Sequence, residues 1–150
     1  MEPSDLVETG QARRLAEARE RSGREIGELA SLLGISYEAY WDLESFDEEV
    51  VDCISLGQMK TLAAALGLDL RDFFAARDVG QLTLTDFAAR LEGLLDGRPE
   101  SLDALEEEVG WEFARHLEDP ETFAELPAIA LADIGTAVDV DWRSLLPQSP

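Results

Sequence analysis

The chain has 150 residues, 45% of them apolar, and sets 12 Lys and Arg against 33 Asp and Glu, for −21 at pH 7. That length holds one domain or two small ones, and charge of this sign repels the phosphate backbone of nucleic acid while drawing in basic peptides and protein patches. No apolar run approaches the ~20 residues of a membrane helix, and a lone cysteine, Cys53, excludes an intrachain disulfide. The acidity is not a tail. Through Asp78 there are 8 basic and 17 acidic residues, net −9, and after it 4 and 16, net −12. The segment from Met1 to Gln11 is polar and acidic, unlike a secretory signal. With the single thiol, this leads us to expect a cytoplasmic protein.

Strand signals are nearly absent. Leu15, Ala18 and Arg19 open a helical pattern that runs to about Arg21, and Gly23 breaks it. Ile26, Leu29, Ala30 and Leu33 recur at helical spacing, and Gly34 stands where a helix ends in the left-handed conformation. Ser36 is placed to cap a third helix, Tyr37 to Glu44, with Tyr40 and Leu43 facing inward. Phe46 to Ser55 reads as an acidic loop. A fourth helix spans Leu56 to Leu66 and stops at Gly67, and Asp69 caps a short fifth through Phe73 and Phe74.

The order helix, Gly23, helix, Gly34-Ile35-Ser36, helix resembles the phage-repressor-type helix-turn-helix family, the Cro-like group of the xenobiotic-response-element type. The matching residues are Leu29-Ala30, Leu33-Gly34-Ile35-Ser36, Leu43-Glu44, Leu62-Ala63 and Ala65-Leu66-Gly67-Leu68, and Leu15 to Phe74 spans the family's domain. The resemblance implies a third helix that enters the major groove, and it implies that Glu44 is a structural acid. It also implies a Gln opening the second helix and a basic residue late in the third, where this chain has Ile26 and Asp42.

The second half repeats the first. Leu105, Val109 and Gly110 follow Leu29, Leu33 and Gly34 at one offset. Asp133-Ile134, Ala137-Val138, Val140-Asp141 and Arg143 follow Thr61-Leu62, Ala65-Leu66, Leu68-Asp69 and Arg71 at a slightly shorter one. Such self-similarity points to duplication. Thr85 to Asp96 is then the new first helix, and Ser101 caps Leu102 to Val109. Trp111 to Leu117 stands where the reading helix would be, and Pro120 and Pro127 bound the loop that follows. Ala128 to Ala137 follows, and Asp141 caps a last turn through Leu145. The expected fold is all-α: two tandem five-helix repressor-like units packed together, residues 1–78 and 79–150.

Groove reading needs side chains that match the donors and acceptors of base edges. The third helix, Ser36 to Glu44, holds no basic residue. In the second unit, Glu112, Glu118 and Asp119 surround Arg115 and His116. Tyr37 and Trp41 beside Glu38 and Asp42 instead suit an interface that accepts Arg or Lys, with Trp111 as a second anchor. Trp142 reads as core. Arg13, Arg14, Arg19, Arg21 and Arg24 cluster at the first helix, where pairing with Glu17, Glu20 and Glu25 competes with phosphate contact. Glu106, Glu107 and Glu108 read as a solvated face.

Catalytic chemistry is scarce. His116 is the sole histidine, and Glu112 four residues before it adds only one further metal donor. Asp47, Glu48, Glu49 and Asp52 lack the glycine and spacing of a calcium loop. No enzyme, cofactor or metal is expected. The expected function is a regulatory binding protein, of antitoxin, immunity or co-regulator type, whose partner has a basic surface. The alternatives are a DNA-binding regulator that uses Arg13, Arg14 and Ser36, as a homodimer or through a basic partner, and a structural subunit of a helical assembly.

Overall fold

Glycines and small polar caps cut the chain into short helices. The computed structural model describes residues 10–96 and 99–148. In chain order come α1 (Gln11–Ser22), α2 (Ile26–Leu33), α3 (Tyr37–Leu43), α4 (Glu49–Cys53), α5 (Leu56–Leu66), α6 (Leu70–Phe73) and α7 (Leu84–Leu95). Then follow α8 (Pro99–Val109), α9 (Ala114–Glu118), a 3-10 turn (Pro120–Glu125), α10 (Ala128–Thr136) and a closing 3-10 turn (Trp142–Leu145). The protein is all-α: among the described residues no strand forms, and Ser55 and Pro127 make an isolated antiparallel bridge. No helix among them is long and apolar enough to cross a membrane.

Local chemistry explains most boundaries. Gly34, at φ 71°, takes the left-handed conformation that a side chain resists, and this turns the chain between α2 and α3. The Ile35 amide closes the turn onto the Ala30 carbonyl at 3.0 Å. Ser36 accepts from the Ala39 amide, and Asp69 and Asp141 accept from the Arg71 and Arg143 amides. Ser55 and Gln58 cap α5 reciprocally.

Three segments depart from the expected pattern. The stretch from Phe46 to Ser55 is not all loop, because it contains α4. Val50 and Val51 are buried there, and α4 packs on α10, a partner remote in sequence. Helix α8 starts at Pro99, which suits a first helical position, so Ser101 lies inside the helix and does not cap it. The helix expected over Trp111 to Leu117 forms only from Ala114 to Glu118. The Glu106 carboxylate accepts from the Phe113 and Ala114 amides at 2.6 and 3.2 Å, which sets that start. Glu106 therefore caps a helix, while Glu107 and Glu108 are exposed.

One hydrophobic cluster runs through both halves. Leu15, Leu29, Tyr40, Leu43 and Met59 fill the first half, and Phe87, Phe113, Phe123, Leu131 and Ile134 the second. Phe74 and Trp142 join them edge to face, centroids 5.0 Å apart. Polar links cross the same junction. Buried Arg71 donates to the Ser144 and Leu146 carbonyls, and Arg143 donates to those of Phe74 and Ala75. The residues on either side of Asp78 thus share one continuous core.

Candidate functional site

Helix α3 is held from beneath and left open above. Tyr40 and Leu43 are fully buried on its inner face. Just past its end, Glu44 binds Arg19 of α1 at 2.7 Å, with side chains only 7% and 16% exposed. Arg19 also donates to the Arg24 carbonyl. Burial, and then the Glu44 carboxylate beside it, pushes the Tyr40 phenol far above its ordinary range, so it stays neutral. This buried pair fixes α3 against α1, and a pair so placed is costly to break from one side.

The outer face carries Tyr37, 56% exposed, and Trp41, 50% exposed. They are four positions apart, so they stand one turn apart on one helix face. Tyr37 lies over Gly27 of α2, where an added Cβ would meet its ring at 4.0 Å. Glu38 is exposed and Asp42 half-buried, also one turn apart. Asp42 borders a second acidic group on α4. Partial desolvation first, and then Glu49, Asp52 and Asp42, push the Cys53 thiol up to about 12, so it is no thiolate at neutral pH. Asp52 is also raised, by desolvation and then by Glu49 and Glu48. Asp47 differs: its carboxylate accepts from the Gly10 and Ala12 amides and is held below its usual range. That acid ties down the start of α1.

Such a surface offers a cation two kinds of contact. A guanidinium or ammonium can lie over the Trp41 ring while its N–H groups donate to Asp42 or Glu38. Trp111 is not part of this surface. It lies in the other half, between α8 and α9, half-buried, with its indole N–H bound to Asp133 at 2.9 Å. It walls an open groove of about 340 Å³ with Asp103, Glu107 and Glu112. Its polar edge is thus used internally, and only its ring borders solvent.

The basic cluster is largely used within the fold. Arg14 donates to the Phe73 carbonyl at 2.6 Å and lies over the Phe73 ring. Arg24 pairs with Glu28 and donates to Ala65. Arg13 pairs with Glu17 on the open face of α1. Of the partners expected from helical spacing, Glu17 is used; Glu28 and Glu44 take the places of Glu20 and Glu25. Ser36 spends its hydroxyl oxygen on the α3 cap. All three residues set aside for phosphate contact are exposed, but Arg14 and Ser36 are tied to backbone groups of the fold and Arg13 to the Glu17 side chain.

His116 faces inward. It is buried against Phe123, with Nδ1 2.6 Å from the Thr122 hydroxyl. Burial and then Arg115 hold it below its ordinary pKa. Glu112 precedes α9, so the two do not share a helix. Among the described residues no three His, Cys, Asp or Glu side chains cluster to hold a metal ion. Compared with known proteins, the chain matches no family model, no curated protein and no solved structure.

Proposed function

We propose that this protein is a regulatory binding protein on two tandem repressor-like helix-turn-helix units, and that α3 captures a partner protein through a basic surface. One observation carries the reading: the helix in the position that would read DNA exposes Tyr37 and Trp41 beside Glu38 and Asp42, and bears no cation. The left-handed turn at Gly34, the Ser36 cap and the Arg19–Glu44 pair favour the repressor-like scaffold. The net charge of −21 steers basic partners inward and repels duplex DNA. The action is occlusion: a basic face covered by α3 is withheld from nucleic acid. Arg14 and Ser36 are engaged within the fold, which weakens the DNA-reading alternative.

The test is a pair of fluorescence anisotropy titrations, from low to physiological salt. One uses labelled duplex DNA and the other a labelled helical peptide rich in Arg and Lys. The peptide is expected to bind and the DNA is not. Trp41→Ala with Asp42→Lys should weaken peptide binding roughly 30-fold, as for an interface anchor worth ~2 kcal/mol. Charge alone is controlled by Glu108→Lys on the exposed face of α8, expected to change affinity by less than about threefold. Equal losses from both variants would reduce the effect to bulk charge. DNA binding that tightens as salt falls would restore the groove-reading alternative.

A further inference from the structure

The contacts between the halves are reciprocal. The same interval separates Ser55 from Pro127, Asp69 from Asp141, Arg71 from Arg143 and Phe74 from Leu146. Each of these pairs bears on the junction. Ser55 and Pro127 face each other in the antiparallel bridge, and the Leu56 amide donates to Leu126 at 2.9 Å beside it. Arg71 donates to the Leu146 carbonyl at 3.2 Å, and Arg143 donates to the Phe74 carbonyl at 3.1 Å. Asp69 and Asp141 each cap the helical turn that carries its own arginine. The helices exchange contacts in the same way. α4 packs on α10, and α5 packs on the 3-10 turn Pro120–Glu125, which occupies the place of α4 in the second half.

Contacts in which residue i meets j while the counterpart of j meets the counterpart of i mark an isologous interface, the signature of a two-fold axis. A tandem repeat packed at random has no reason to show it. We infer that the chain is a covalently fused dimer, closed on itself around a local two-fold axis, with one working face. Its second half fills the surface that a second molecule would need, so the protein acts as a monomer. The halves have diverged at the outer helix. Where α3 exposes Tyr37 and Trp41, α9 has five residues, buries His116 behind buried Phe113, and pairs Arg115 with Glu125 at 3.1 Å. The second half serves as the closing subunit, and the chain takes one basic partner. This stoichiometry rests on the binding reading above; the closure does not.

The test joins a cross-link to a mass. Ser55→Cys with Pro127→Cys, in a Cys53→Ser background, places two thiols at facing positions of the bridge. Oxidation should give an intrachain disulfide at every protein concentration, with the mass staying at one chain of 16.5 kDa in light scattering. Interchain disulfides, or a wild-type mass that doubles with concentration, would overturn the closure and indicate halves exchanged between copies. The labelled Arg- and Lys-rich peptide should then saturate at one per chain. Two per chain would overturn the single face. A monomeric, intrachain-linked protein that ignores the peptide would refute the binding proposal and leave the closure standing.

Discussion

Arg71→Met removes the most enclosed cation at the junction. Its side chain belongs to a residue only 3% exposed. The guanidinium donates to the Val79 carbonyl, to Ala76 at 3.3 Å, and across the junction to Ser144 at 3.3 Å and Leu146 at 3.2 Å. Methionine keeps the stem's packing but supplies no donor. A buried carbonyl left without a partner costs ~1–3 kcal/mol; those of Val79 and Leu146 would lose their donor, whereas that of Ser144 keeps the Leu82 amide at 2.9 Å. Two such carbonyls give ~2–6 kcal/mol, and relief of the charge's own burial penalty offsets part of this, so the net loss is about 3 kcal/mol. For a chain of this size that lowers Tm by roughly 6–12 °C. Thermal unfolding is followed by far-UV circular dichroism and by tryptophan emission, to which Trp142, 2% exposed at the junction, contributes beside Trp41 and Trp111. Both probes should report one earlier transition, because one core serves both halves. Arg71→Lys should recover only part of the loss, since an ammonium cannot spread its donors as a planar fork does. A fall in Tm below about 2 °C would refute the claim that Arg71 holds the halves together.

Two further outcomes follow from the same physics. Glu44→Ala leaves Arg19 buried without its carboxylate and should cost about 3 kcal/mol in denaturant unfolding; an unchanged midpoint in the single variant would show that the pair does not hold α3. Because the folded protein keeps His116 below its ordinary pKa, the unfolded chain binds the proton first as pH falls. Its contribution to stability is therefore complete above about pH 6.5 and is lost as the pH drops through and below that value. His116→Gln should flatten the dependence of stability on pH between about 7 and 5; a slope equal to the wild type would assign the effect to other groups.

Part of the outer face of α3 was legible because helical spacing places Trp41 one residue around from buried Tyr40, and Trp41 is indeed exposed. The role of Trp111 was not legible. Its indole is claimed by Asp133, which spacing along α8 cannot reveal. Arg14 reads as a surface cation on α1, yet it is engaged by Phe73 on a different helix.

The divide follows the range of the interactions. Local pattern was enough for the all-α class and for many helix ends, at Gly34, Ser36, Gly67, Asp69 and Asp141. A left-handed glycine or a side-chain cap needs partners only a few residues away. Tertiary structure alone decided that Val50 and Val51 make a helix against α10, that Glu106 starts α9, and that Arg71 and Arg143 reach across to the opposite half. Those outcomes depend on which distant groups lie near when water is removed. Burial and long-range pairing therefore override local preference, and no local pattern encodes them.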